Sequence, residues 1–388
     1  MASSSLPKNI HRIRELAKKQ AATITLGQLM RSTKSDPASM IRQGRWLHET
    51  IPIRCARRVD DFIQLPYVVV QNPHFHEVMD TYVETLDAVC AFPEIFTGRD
   101  EAAFCELMRE HLEKHSTIVS KVSEGYWEVR QAYPHICLDS FLDKLFATRI
   151  SSRILIENYI SMRNLQEDQI GVVRRDMSPL AVIKKKAAML SRLTRAVYGI
   201  CPEVEYRGNL ACTLDYIPRH VAFVVQEVLK NALRATVERH LPKNGGLATA
   251  QLPPVVIELQ KGDVYVIIKI SDQGGGMPKK LQREAWQYGW TTVSEEEQIT
   301  LDPSTWPGQK KAERRKELAG YGFGLPLTRL YAQYFGGEVF MQALPGHGTD
   351  MYLLLNHLKE GAASTEMDDP STAIVRTENY GHSVDHAP

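Results

Sequence analysis

Between about residue 60 and residue 163, apolar side chains recur at the three- and four-residue intervals of a helix, and Pro66, Pro73, Pro93 and Pro134 punctuate the breaks. Residues 75–92, 100–130 and 138–163 each predict an amphipathic helix. With a shorter helix at 44–63 they predict a four-helix bundle occupying residues 26–175. This half has few glycines and carries no recognisable chemical motif. Residues 171–176, followed by Ser178-Pro179, form a boundary segment, because proline disfavours the helical region for the residue before it.

The period then changes. Residues 255–259 and 264–270 are β-branched runs joined by Gln260-Lys261-Gly262-Asp263, a hairpin signal, and residues 338–343 and 350–356 predict a second hairpin across Pro345-Gly346-His347-Gly348. Helices predicted at 178–198, 219–240 and 326–335 interleave with these strands. The fold class is therefore α+β, a bundle followed by a two-layer α/β domain with a mixed or antiparallel sheet over residues 176–360. Helices and strands do not alternate regularly enough for a dinucleotide-binding domain. Residues 294–318 are polar and charged and lie between two glycine-rich motifs, the composition and place of a lid. Residues 361–388 form a small, polar, acidic tail that predicts disorder.

Three segments of the second half carry candidate chemistry. Pro218 opens a helix whose buried stripe is Val221, Val224, Val225, Val228, Leu229 and Ala232. Glu227, Asn231 and Arg234 follow one another at i, i+4 and i+7 and share the flank of that stripe. A neutral carboxamide there suits Mg2+, Arg234 or Lys230 suits phosphate, and Glu227 is left to act as a base. The bland alternative is an ordinary ion pair of Glu227 with Lys230 or Arg234 on a solvated face. The second segment, Asp272-Gln273-Gly274-Gly275-Gly276-Met277, ends a strand. Its carboxylate can accept from an exocyclic amino group such as that of adenine, although alone the run reads equally as a turn. In the third, Gly320-Tyr321-Gly322-Phe323-Gly324-Leu325 runs into Pro326 and a helix N-terminus, where free N–H groups attract phosphate. Thr349, after Gly346 and Gly348, offers a hydroxyl to a base or caps a strand.

Composition adds exclusions. In 388 residues, 47 Lys and Arg balance 46 Asp and Glu, so overall charge points to neither nucleic acid nor a membrane surface. No apolar run reaches the roughly 18 residues of a membrane span. Six scattered cysteines lack any Cys-x-x-Cys pair, which argues for a reducing compartment and against a zinc site. The basic N-terminal segment, residues 1–25 and a little beyond, carries Lys8, Arg12, Arg14, Lys18, Lys19, Arg31 and Lys34 against Glu15 alone. It fits an organelle transit signal and a solvated basic helix equally.

Taken together and in order, the Glu-x-x-x-Asn helix, the Asp-x-Gly-x-Gly strand end, the polar segment, the Gly-x-Gly-x-Gly-Leu-Pro loop and the Gly-Thr-Asp strand start resemble the ATP-binding domain shared by gyrase-type topoisomerases, Hsp90 chaperones, histidine kinases and mitochondrial protein kinases (GHKL). Lys230-Asn231-Ala232-Leu233-Arg234-Ala235-Thr236-Val237-Glu238 is similar to the corresponding box of the mitochondrial α-ketoacid dehydrogenase kinases, the pyruvate and branched-chain enzymes. So are Gly322 to Pro326 with Arg329, Tyr331, Ala332, Tyr334 and Phe335, and in the bundle residues 49–54 and Arg149-Ile150-Ser151-Ser152-Arg153.

That resemblance implies a mitochondrial matrix kinase, a likeness spanning residues 26–358, that moves the ATP γ-phosphate to a serine of an E1 subunit, with pyruvate ranked just ahead of branched-chain substrate. It implies docking of the bundle on the lipoyl domain of E2 and a homodimer. It further implies Glu227 as general base and Asn231 as Mg2+ ligand. Asp272 would hold adenine, Gly274, Gly276, Met277, Thr291, Thr292 and Thr349 would line the nucleotide, and Gly320 to Leu325 would wrap the phosphates. Two departures stand out. Tyr159 occupies the place where many relatives carry a histidine bonded to the catalytic carboxylate, and no tryptophan follows Trp306, so the tail contact between subunits has no Asp-Trp pair. A histidine kinase is the main alternative, yet residues 138–163 contain no histidine; His111 and His115, at i and i+4, read as surface residues of a polar helix. A GHKL ATPase or chaperone is the other. Ordinary protein kinases are excluded by the absence of their His-Arg-Asp, Asp-Phe-Gly and Walker sets.

Overall fold

A computed structural model describes residues 9–21, 36–165, 167–241, 252–291 and 321–356. They divide into two compact units that meet in sequence at Val173 and Arg174. No described helix is long and apolar enough to cross a membrane.

The first unit is helical. After α1 (Ile10–Ala17), α2 runs over Pro37–Ile63, seven residues earlier than its periodicity predicts, because Asp36 caps it by accepting from the Ser39 N–H at 2.9 Å and Pro37 fills its first turn. Pro52 lies within it. A single turn, α3 (Tyr67–Val70), precedes α4 (Pro73–Ala91), which Asn72 caps through the His74 and Phe75 amides. The predicted helix 100–130 is two helices, α5 (Gly98–Lys114) and α6 (Ile118–Ala132), separated by a 3-10 turn at His115–Thr117. A reciprocal capping box of Thr97 and Asp100 starts α5. Helix α7 (Asp139–Ser161) buries side chains around most of its circumference and forms the interior of the bundle with α2, α4 and α5. The break at 115 has a cause in packing. His111 and His115, read from sequence as surface residues, are buried with their rings 3.9 Å apart, and Thr85 Oγ1 lies 3.1 Å from His111 Nδ1 and 3.0 Å from His115 Nε2.

The second unit is built on one mixed sheet. Strands β3 (Val204–Gly208), β5 (Val255–Lys261), β6 (Tyr265–Ser271), β8 (Gly348–Asn356) and β7 (Glu338–Leu344) lie side by side in that order, β3 parallel to β5 and the rest antiparallel. Register aligns the inward rows: Leu259 opposes Ile268, Ile268 opposes Leu353, and Val339 opposes Leu353, all fully buried. Helices α8 (Pro179–Tyr198), α9 (Pro218–His240) and, near the end, α11 (Gly324–Gln333) pack together, and α9 and α11 rest on the sheet. This confirms the two-layer α/β reading. The sequence pattern missed β3, a small pairing of β2 (Val173–Met177) with β4 (Leu214–Tyr216) after a two-residue β1 (Gln169–Ile170), and the short α10 (Lys279–Glu284). These elements are too short or too mixed in polarity to show a period. The lid predicted at 294–318 and the tail from 361 lie outside the described residues.

Candidate functional site

Helix α9 is the spine of the site. Pro218 starts it, and its stripe from Val221 to Val237 is buried against the sheet, which leaves Glu227, Asn231, Arg234 and Ala235 half-buried along one edge. Each end of that edge meets a glycine segment. At Glu227, a Cβ on Gly324 would meet the carboxylate, so the glycine lets the start of α11 approach without displacing that side chain. Two turns on, about 12 Å along the axis at 1.5 Å per residue, a Cβ on Gly274 would overlap Ala235. The two glycine motifs thus flank one helix edge with Asn231 between their contact points.

Glu227 is ion-paired. Lys230 Nζ donates to its Oε2 at 2.7 Å, and the two side chains are only 10% and 12% exposed. The pairing matches the bland sequence reading in partner, but it is not the solvated face that reading assumed. Arg234 lies 3.4 Å from Glu238 Oε1 and points down the helix. One turn before Glu227 stands Phe223, stacked on Tyr331 of α11 at 4.2 Å. Tyr159 donates its hydroxyl to Glu101 Oε1 at 2.6 Å inside the bundle.

Asp272 is fixed by backbone. Its own N–H donates to the Thr349 carbonyl at 2.9 Å, and its Oδ1 accepts from the amides of Gly274 at 2.8 Å and Thr349 at 3.2 Å. Burial raises its carboxyl to about 6, against the opposing effect of those two N–H donors. The next residues need glycine: Gly275 and Gly276 have φ of +90° and +60°, and a Cβ on Gly276 would strike the Leu344 and Gly348 carbonyls. Met277 is half-buried, and Gln282 holds its carbonyl and that of Ala343, each at 2.8 Å. Gln282 was not singled out in sequence, where a lone glutamine in a polar stretch gives no signal.

The phosphate-loop candidates join the same neighbourhood. Gly322, at φ +78°, accepts from the Gly289 amide at 3.2 Å, and Phe323 is buried against Tyr288 with rings 5.2 Å apart. Tyr321, Leu325 and Thr291 are half-buried beside them in sequence, and Thr349 is buried. Thr292 and Gly320 lie outside the described residues. No cluster of three His, Cys, Asp or Glu side chains suited to a metal occurs among the described residues.

A half-buried helix edge with a carboxylate and carboxamide, flanked by a half-buried strand-end aspartate and two glycine turns, defines an ATP-binding domain of the histidine-kinase, DNA gyrase B and Hsp90 class, and residues 217–359 match that family. Residues 23–175 match the family described as mitochondrial branched-chain alpha-ketoacid dehydrogenase kinase. The chain is 31% identical to the mitochondrial pyruvate dehydrogenase (acetyl-transferring) kinase of Arabidopsis thaliana, over 84% of this chain and 87% of that one. It is 27% identical to the kinase of the same name in Schizosaccharomyces pombe, over 89% and 96%. The Drosophila melanogaster kinase matches at 27% over 82% and 78%. The chain belongs to the family of mitochondrial α-ketoacid dehydrogenase kinases and is an ATP-dependent protein kinase of that type.

Proposed function

We propose that this kinase transfers the γ-phosphate of ATP to a serine of the E1 subunit of an α-ketoacid dehydrogenase complex and thereby inactivates it. The observation that carries the reading is the convergence of two distant glycine segments on α9, Gly324 on Glu227 and Gly274 on Ala235, with Asn231 of the helix between them. Phosphoryl transfer asks for positioning and charge neutralisation more than covalent help, and that is what such an edge supplies.

In this reading Asp272 accepts from the adenine amino group, with Gly274, Gly276, Met277, Thr291, Thr292 and Thr349 around the base. Gly320 to Leu325, leading into α11, would offer backbone N–H groups to the phosphates. Asn231, a neutral oxygen donor, holds Mg2+, which when bound offsets phosphate charge. Glu227 takes the serine proton. Lys230 holds that carboxylate in place in the free protein, and Arg234, two turns along α9 from Glu227, adds a second positive charge on the same edge. A histidine beside the base is not needed in this scheme, since a buried lysine already orients it.

Pyruvate E1 is ranked first, on the names of relatives matched over most of their length, with branched-chain E1 second, on the description of the family matched by the bundle. The enzyme works in the mitochondrial matrix. Its bundle docks on the lipoyl domain of E2, a role for which Tyr67 and Phe96, 69% and 62% exposed, offer apolar contact. It forms a homodimer through the uncovered face of the sheet, where Phe340 stacks on Tyr352 at 4.7 Å and Leu344 is exposed. Incubating the kinase with γ-labelled ATP and each purified E1 in parallel tests the assignment. Label is expected on the serine of the pyruvate E1. Label on neither, with ATP consumed, removes the substrate claim.

A further inference from the structure

The glycine loop that opens α11 has few side chains with which to hold itself, so its conformation must be imposed by what it touches. Besides the Gly324 contact with Glu227, three contacts among the described residues tie it to the segment that follows the Asp272 turn. Gly289 donates to the Gly322 carbonyl, Tyr288 packs on Phe323, and the Arg329 guanidinium lies 4.0 Å over the centre of the Trp286 ring. The pairs 289–322, 288–323 and 286–329 run in antiparallel order, and a Cβ on Gly322 would overlap the Trp290 carbonyl. The Trp286 side of this pairing is itself anchored to the adenine side of the site. Gln282, one turn earlier, holds the Met277 and Ala343 carbonyls. The Arg329 side is steadied by Glu338, 4.0 Å from the guanidinium. Glu227 meets the loop at Gly324 but takes no part in these pairings, and α9 is fixed by its own buried stripe and by Lys230.

We infer that Trp286 and Arg329 are positioning residues for the nucleotide, the outer pair of a clasp that ties the phosphate-facing loop at Gly322 to the adenine-holding segment after Asp272. The inference rests on the ATP-kinase reading above. The clasp fixes the distance between the two halves of the nucleotide site without touching the base. Loosening it therefore weakens ATP affinity and leaves turnover at saturating ATP intact.

The test is a double-mutant cycle on the full-length kinase: Trp286→Leu, Arg329→Met and both together, with Trp286→Phe as the conservative variant. MgATP binding is read by calorimetry, and KM for ATP and kcat by transfer to E1. A partly buried cation–π contact corresponds to about a fivefold change in affinity. Each single variant is expected to raise Kd and KM about fivefold with kcat within twofold of wild type, the double variant to be no worse than either single, and Trp286→Phe to recover most of the loss. If Trp286→Leu does not fold, Arg329→Met and Trp286→Phe still carry the comparison. Variants that bind as wild type, or effects that add in the double variant, overturn the clasp while leaving the kinase reading in place. Normal clasp behaviour in calorimetry with no transfer to any E1 upholds the clasp and overturns the substrate reading. A wild-type chain that does not bind MgATP overturns both.

Discussion

Glu227 and Asp272 are carboxylates on the same unit with opposite surroundings, and the division of labour proposed for them follows from that. Glu227 has a lysine at 2.7 Å, whereas Asp272 has only backbone N–H donors and burial, which lifts its carboxyl from 3.8 to about 6. Because the folded chain holds this proton more tightly than the unfolded one, the protonated carboxyl contributes stability that is complete below pH 3.8 and lost as pH rises through about 6. With the proposed adenine contact, nucleotide binding runs the other way, since an adenine amino group needs the ionised acceptor. MgATP affinity measured by calorimetry should fall about tenfold per pH unit below about 6, with little change between pH 7 and 8. An affinity flat from pH 7 to 5 would take the adenine contact away from Asp272. At this scale the sequence was informative about Glu227, Asn231 and Asp272, because helical spacing and a strand end put them in place. It was less so about Lys230 and Arg234, whose carboxylate partners at 227 and 238 were a matter of rotamer and burial, and silent about Gln282 and Trp286.

Elements with a long apolar period were legible: α4, α7, α8 and α9 lie close to where periodicity and proline place them. The errors have local causes. A capping aspartate lengthened α2 beyond its apolar pattern, and a buried histidine pair broke the helix read as continuous from 100 to 130. That pair also supplies a prediction. Burial, with Arg149 and Lys114 nearby, pushes His111 down to about 4 and His115 to about 2. Their neutral forms contribute stability that is present above pH 6.5 and lost as pH falls toward those values. Hydrogen exchange of the full chain should show α5 and α6 opening more readily at pH 5.5 than at pH 7.5, and His115→Phe should flatten that dependence. Equal protection at both pH values in wild type would contradict it. Strand β3 escaped notice because the alternation of Val-Glu-Tyr-Arg-Gly lasts only five residues and leads into no hairpin turn, and only its parallel partner β5 gives it a place.

At the scale of the whole molecule, the bundle and the nucleotide unit have different vocabularies, helical period in one and glycine-punctuated strands in the other, which is why both were readable from one chain. What surrounds them was read only through resemblance. In the homodimer proposed above, the partner copy covers the sheet face left open among the described residues, so Phe340→Asp with Leu344→Asp should shift the protein from dimer to monomer in sedimentation, and an unchanged sedimentation coefficient would place the interface elsewhere. The central claim is that α9 gathers one nucleotide pocket beside one base. Its most direct test is Glu227→Gln, assayed for MgATP binding and for phosphate transfer to E1 in the same preparation. Binding within about threefold of wild type, with transfer lowered at least a hundredfold, is the predicted result, given the usual 10²–10⁴-fold contribution of a general base. Transfer at the wild-type rate would contradict it.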